Sequence, residues 1–296
     1  MSKESKPIDT NVYYCFKQDN VSEIKQKCDS KKDLIYDLMY HIADVATVCY
    51  KKKSININII NNLINKGHTS VLEHGTVYLK TNWWNVITNI RFILNPYSKV
   101  HNWTYITTNY RVIVENKLEN VMFKFITIPR KGKHELRYTF YIETSRAISE
   151  EIIRHRSISP TKESTRFVEY GTKDCPFEFS IPANFELDKN DNMHIIKSFD
   201  ANNLNIDIKF NKYDYISYLK NNALLSAMYY RLSRLNNVSR DNSRKLLPLS
   251  LRCSTFHTAF ISDWKKFINL RYYKVTGRPD YDITKIAETI KNLLKL

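Results

Sequence analysis

Five glycines in 296 residues constrain this chain more than any other feature. A dinucleotide-binding turn or a P-loop brings phosphate against bare backbone and needs glycine at fixed spacing. Neither GxGxxG nor GxxxxGK[ST] occurs. Any bound phosphate therefore has to be held by side chains and helix ends. The means are present, because 46 Lys and Arg against 30 Asp and Glu give a net charge of +16. Such a surface expects anionic partners, either nucleotide phosphates or nucleic acid.

The chain is organised around SRAISEEIIRHRSISPTKESTRF, residues 145–167. Ala147, Ile148, Ile152 and Ile153 form an apolar stripe at helical spacing, with Glu150, Glu151 and Arg154 between them. Pro160, which lacks an N–H and disfavours helix at the residue before it, is the expected stop. Arg154, His155 and Arg156 crowd the helix end; on a helix the two arginines point about 200° apart and would serve different groups. Ser164, Thr165 and Arg166 follow on a loop or short strand. An anion held between these cations and hydroxyls is one reading, and a solvated basic face with a capping serine is the other.

Around this stretch the chain reads as one mixed α+β domain. Residues 33–50 and 56–66 are helical, the second closed by Gly67. Residues 68–74 (HTSVLEH) place two histidines and Glu73 around a serine at a helix end, and 76–80 alternate as a strand. Residues 83–128 are rich in aromatics (Trp83, Trp84, Phe92, Trp103, Phe123), which with Lys and Arg could stack bases. Residues 105–108 and 111–114 read instead as strand and packed core. Residues 138–143 are a strand entering the 145–167 stretch. Residues 170–212, with Pro176, Pro182 and the run Asp188, Lys189, Asn190, Asp191, are expected as surface loop. A helix at 213–235 carries Leu224, Leu225, Met228 and Leu232 as a core stripe, and 283–294 is a terminal amphipathic helix. Between 231 and 274, ten Lys and Arg face only Asp241 and Asp263, the densest positive field in the chain. Five scattered cysteines without CxxC argue for thiols in a reducing compartment and against a zinc site or disulfide framework. With no signal-like or membrane-spanning run, a cytoplasmic protein is expected.

Three motifs in order carry a resemblance. Arg154-His155-Arg156, seven residues and then Ser164 is similar to the RHR-x7-S signature of flavin-dependent thymidylate synthases, extended by Ser159, Arg166 and Phe167 where the family usually has tyrosine. Residues 67–74 (GHTSVLEH) resemble the family's flavin-contacting segment. SRKLLP at 243–248, followed by Asn269-Leu270-Arg271, resembles its C-terminal arginine pair. The likeness is poor over the first ~30 residues, about 85–135 and about 170–225, which read as elaborations.

The resemblance implies an α+β subunit assembled as a homotetramer with shared active sites and no metal. It implies reductive methylation of dUMP to dTMP, with bound FAD, NADPH as reductant and 5,10-methylenetetrahydrofolate as carbon donor. It places Glu151, Arg154, Glu163, Ser164, Arg166, Arg244 and Arg271 at dUMP, with Arg271 catalytic as an electrostatic clamp on the uracil ring. It places His68, Ser70, Glu73, Arg154, His155, Arg156 and Lys162 at FAD. Cys49 falls where the family has a small polar residue near the flavin; a buried core cysteine is the other reading. No cysteine is expected to act as nucleophile. Glu151, Lys162, Glu163 and Lys266 depart from the family's usual residues. A degenerate nucleotide-binding member and a basic nucleic-acid-binding protein stand as alternatives.

Overall fold

The computed structural model describes residues 11–28, 30, 33–51, 55–88, 90–185, 193–196 and 215–296. The chain opens with β1 (Val12–Lys17), β2 (Asn20–Ile24), α1 (Leu34–Thr47), a 3-10 turn Val48–Tyr50 and α2 (Ile59–Asn65). A second 3-10 turn, Thr69–His74, leads into β3 (Thr76–Lys80), α3 (Trp83–Thr88), α4 (Arg91–Leu94), β4 (Lys99–His101) and β5 (Tyr105–Asn109). Then come α5 (Tyr110–Glu115), α6 (Glu119–Phe125), β6 (Arg137–Ser145), α7 (Arg146–Ile153), β7 (Ser159–Lys162) and β8 (Phe177–Ser180). The rest is β9 (His194–Ile196), α8 (Tyr215–Leu235), α9 (Arg240–Ser243), β10 (Arg252–Phe260), α10 (Ile261–Arg271) and α11 (Tyr281–Leu293). This is a mixed α+β architecture, as expected.

Three sheets run in the orders β8-β1-β9, β2-β6-β10-β7 and β3-β5-β4. At the centre β6 and β10 pair antiparallel over their whole lengths, from Arg252↔Ser145 to Phe260↔Arg137. β10 is buried at every position. A strand covered on both faces has no polar–apolar alternation, which is why periodicity did not reveal it. On one face Phe140 and Ile142 meet Ile148 and Ile152 of α7, Trp264 and Phe267 of α10, and Ile283, Ile286 and Ile290 of α11. On the other, Phe256 joins Leu38 and Ile42 of α1, Leu72 and Val77. The 83–125 elaboration adds Val86, Phe92, Ile113 and Met122 to this second core.

Several expectations hold. α1 and its 3-10 continuation cover 34–50, and β3 spans 76–80. Gly67 ends α2 in the left-handed region (φ 71°), its N–H on Ile64 O at 3.0 Å and that of His68 on Leu63 O at 2.8 Å; that backbone is costly for residues with a Cβ.

Others are corrected. α7 stops at Ile153, well short of Pro160, which lies in β7. Among the described strands β7 pairs only with β10, so it is an edge where a missing N–H is tolerated. Arg154 to Arg156 accordingly sit in a turn after the helix, held by His155 N–H on Ile152 O (3.0 Å) and Ile158 N–H on His155 O (2.9 Å), so the spacing of a continuous helix does not set their directions. Ala147 of the expected stripe is exposed, while Ile148 and Ile152 are buried. Residues 111–114 are helical rather than extended, because Asn109 caps α5 by accepting from Val112 N–H at 3.0 Å.

The 170–212 region is not all surface. Tyr170, Phe177 and Phe179 are core residues, and β8 runs parallel to β1. The run 188–191 lies outside the described residues, as do 213 and 214. The buried face of α8 is Ala223, Ala227, Met228, Tyr230 and Arg231; of the expected stripe Met228 is buried, while Leu224, Leu225 and Leu232 are half-buried. The rings of Tyr170 and Phe177 already fill that core, so small residues let the helix approach.

Candidate active site

The Thr69–His74 turn is held on both sides. Gly75 lets α1 pass against it, since a Cβ there would lie 2.5 Å from Ile42 Cδ1. His74 is fully buried, with Nδ1 2.7 Å from Thr258 Oγ1 and Nε2 2.9 Å from Thr161 Oγ1. The chain continues from Thr258 to Thr139 (2.7 Å) and from Thr139 to His41 Nε2 (3.2 Å). A ring nitrogen that donates and one that accepts are both satisfied by hydroxyls, so a neutral imidazole fits. Burial, then the neighbouring His41 and Arg137, hold His74 well below the usual histidine range; burial lowers His41 to about 4. The turn thus presents His68 and Ser70 outward, while Glu73 is buried. The Glu73 carboxylate takes Arg111 Nη1 at 2.5 Å, and its main-chain oxygen takes Arg137 Nη2 at 2.9 Å.

At the end of α7 the signature turn meets α10. Arg271 Nε donates to His155 Nε2 at 3.1 Å, and its Nη1 donates to Glu151 Oε2 at 3.3 Å. The imidazole therefore accepts at Nε2 and carries its proton on Nδ1. Burial first and Arg271 second lower His155 to about 4. The ring also stands edge-on to Phe267, centroids 4.9 Å apart. Arg154 and Arg156 are exposed, and their guanidiniums have no hydrogen bond or ion pair among the described residues. Lys162 is turned to Glu150 at 2.7 Å, and Lys266 pairs with Asp263 at 3.0 Å.

The hydroxyl-and-arginine loop brings the third motif in. Ser164 N–H bonds to Cys49 O (3.3 Å), and Ser164 Oγ accepts from Arg166 N–H (3.3 Å). Arg166 Nε lies 2.8 Å from Asp241 Oδ1, and Arg244 Nε lies 4.0 Å from the same oxygen. One carboxylate thus stands between the two arginines expected at a phosphate. Phe167 is exposed and packs on Tyr50, centroids 5.1 Å apart. Glu163, expected at the substrate, has its carboxylate inside the protein. It accepts from the Tyr170 hydroxyl and from Ser254 N–H (3.3 Å), with Lys51 Nζ at 3.6 Å.

The structure therefore gathers Glu151, His155 and Arg271 in one group, Ser164, Arg166 and Arg244 in a second, and His68, Ser70 and Glu73 in a third. None of these residues lines either of the two cavities of about 500 Å³. The place of Asp241 between two arginines, the pairing of Arg111, and the partners of Glu163 (Lys51 and Tyr170) went unread in the sequence. Only Asp241, three residues before Arg244 at helical spacing, left a local trace. Half of the cations in the dense positive field of 231–274 pair with carboxylates from elsewhere in the chain: Arg231, Arg234, Arg240, Arg252 and Arg271. Arg231, Arg234 and Arg240 converge on Glu169, and Arg252 meets Glu143 and Glu178. No disulfide joins the five cysteines, and burial raises the thiols of Cys49, Cys175 and Cys253. Among the described residues no group of His, Cys, Asp and Glu is placed to hold a metal ion. Nor is any helix among them long and apolar enough to cross a membrane.

The donor set fits a flavin dinucleotide. Two exposed, unpaired guanidiniums suit a pyrophosphate. The Thr69–His74 turn offers His68, Ser70 and one uncommitted oxygen of Glu73 to the hydroxyls and amines of a nucleoside.

A family model described as thymidylate synthase complementing protein matches residues 134–296, just over half of the chain. No curated protein sequence matches. Among solved structures, the chain is similar to a UMP/dUMP methylase PolB from Streptomyces cacaoi bound with 5-Br UMP. The identity is 13% and the TM-score 0.44, over 95% of this chain and 91% of that one. The same protein bound with 5-Br dUMP gives 14% and 0.43, over 94% and 91%.

Proposed function

The chain belongs to the thymidylate synthase complementing protein family, and on that premise we propose that it is a flavin-dependent thymidylate synthase. The reaction converts dUMP, 5,10-methylenetetrahydrofolate, NADPH and a proton into dTMP, tetrahydrofolate and NADP⁺. The observation that carries this reading is Arg271, brought from the end of α10 onto His155 and Glu151 of the signature turn.

Two donors of Arg271 are committed inside the protein, and Nη2 has no partner among the described residues. A guanidinium held that way can meet a uracil carbonyl oxygen and stabilise charge that develops on the ring. Ser164, Arg166 and Arg244 would bind the nucleotide phosphate, which takes over the place between the arginines that Asp241 now shares. Glu151 would orient Arg271, and Arg154 would reach both ligands. His68, Ser70, Glu73, Arg154, His155, Arg156 and Lys162 would hold FAD, which when bound supplies hydride-transfer chemistry. Burial of the thiols supports a route without a cysteine nucleophile.

His68, Ser70, Arg154, Arg156 and Arg166 are exposed on the single subunit, which supports a homotetramer whose subunits complete one another's sites. The pairing of Arg231, Arg234, Arg240 and Arg252 with internal carboxylates argues against a stable nucleic-acid partner. A second reading, nucleotide binding without turnover, draws on Lys162, which is engaged by Glu150 where the family usually has glutamate. Cytoplasmic location is part of the proposal.

The test is the absorbance spectrum of the purified protein, with FAD titration and assay of dTMP from dUMP, NADPH and methylenetetrahydrofolate. A flavin spectrum and dTMP are expected. A colourless protein that gives no heat with FAD would sink the enzyme reading.

A further inference from the structure

Residues 81–133, between β3 and β6, lie outside the matched family region, as does the Thr69–His74 turn that they pack against. Their helix α5 is tied to the Thr69–His74 turn by Tyr110 N–H on Gly75 O at 2.9 Å. From that helix Arg111 spans two carboxylates, Nε to Glu115 Oε1 at 2.7 Å and Nη1 to Glu73 Oε1 at 2.5 Å. Thr69 Oγ1 donates to the same Glu115 oxygen at 2.7 Å. Thr69, Glu115, Arg111 and Glu73 thus form a closed polar ring that pins both ends of the turn to α5.

The arrangement has a directional consequence. Glu73 is nearly buried, and its carboxylate could turn either oxygen outward. Arg111 commits Oε1 and leaves Oε2 without a partner among the described residues. A planar guanidinium held by a second carboxylate at i+4 is a rigid anchor, whereas a lysine would be a mobile point charge. The ring also fixes the main chain that carries His68 and Ser70.

We propose that Arg111 is a positioning residue for the cofactor. Acting through Glu73, it presents Oε2 to a hydroxyl or amine donor of the dinucleotide and holds the turn in its binding geometry. This rests on the reading of the site as a flavin site.

The experiment compares wild type, Arg111→Ala and Arg111→Lys. FAD and dUMP affinities are measured by calorimetry, and amide hydrogen exchange over 69–74 is measured on the protein without FAD. Losing a charged hydrogen bond predicts FAD binding weaker by about tenfold or more in Arg111→Ala. Partial recovery is expected in Arg111→Lys, with dUMP affinity unchanged and exchange over the turn faster only in proportion. FAD affinity and exchange both at wild-type level in a folded Arg111→Ala would overturn the proposal. So would parallel loss of FAD and dUMP together with a lowered unfolding temperature, which would mark a merely structural contact. If wild type itself fails to bind FAD, the functional reading falls, while unchanged exchange would separately refute the anchoring of the turn.

Discussion

Arg271 Nε donates to His155 Nε2 across 3.1 Å, joining the last turn of α10 to the turn after α7. The bond needs a neutral imidazole, and burial of the ring favours the same state. Substituting Arg271 with alanine should raise the His155 pKa from about 4 only in part, because burial is the larger cause. Imidazole nitrogen NMR against pH reads this directly; an unshifted ring would mean that the pair does not form in solution.

Arg271→Lys should bind dUMP nearly as wild type yet turn over at least about tenfold more slowly, equivalent to ~1.4 kcal/mol. Lysine keeps the charge but cannot bond His155, Glu151 and a ring oxygen together. Calorimetry beside a steady-state assay decides it. Full activity would shift the clamp to another arginine, Arg244 first.

Ser164→Ala and Arg166→Ala should weaken dUMP binding more than FAD binding. Arg166 should matter more, by about tenfold or greater, since a charged hydrogen bond is worth ~1.5–3 kcal/mol. Loss of flavin with retained dUMP affinity would reverse the assignment of this loop.

Stability should fall as pH drops from about 6.5 toward 4. His41 and His257 are lowered by burial to about 4 and about 3, and His74 lies well below 6.5. The unfolded chain takes up protons in that window and the folded one does not, so stability is full above 6.5 and is lost below it. Asp19, raised by burial to about 6, and Asp44 and Asp282, also raised by burial, act in the opposite sense, but His155 and His134, lowered by burial, join the three buried histidines, and the five outnumber the three carboxyls. Urea midpoints at a series of pH values should show the decline, and a flat profile would contradict it.

Tyr170→Phe should destabilise the fold by about 1–3 kcal/mol, because Glu163 keeps its buried carboxylate and loses a donor. Dye-free thermal unfolding and dUMP titration together test it. An unchanged midpoint with weakened dUMP binding would return Glu163 to the substrate.

Single Cys→Ser variants at all five positions should keep turnover once folding is verified, with Cys15 and Cys253 the most sensitive because they are buried. A variant that folds, binds flavin and dUMP and makes no dTMP would overturn the route proposed here.

Local chemistry was legible in the chain itself. Gly67 after an apolar period specified a helix end, alternation specified β3, and the ordered motifs around 68–74, 154–166 and 243–271 supplied the candidate side chains. These signals are short-range, set by backbone dihedrals and by residue type over a few positions. What the sequence could not show was partnership across distance. That Arg111 would claim Glu73, that Asp241 would stand between Arg166 and Arg244, and that Glu163 would turn inward to Tyr170 depend on how the sheets pack. Even Pro160, a helix stop by local rules, became an edge-strand residue once β10 offered it a neighbour on one side. The sequence by itself determined the kinds of groups available and the order of the elements that carry them. Tertiary packing decided which charges neutralise one another and which remain for a ligand, because that choice follows from burial and from the proximity that the packed elements impose.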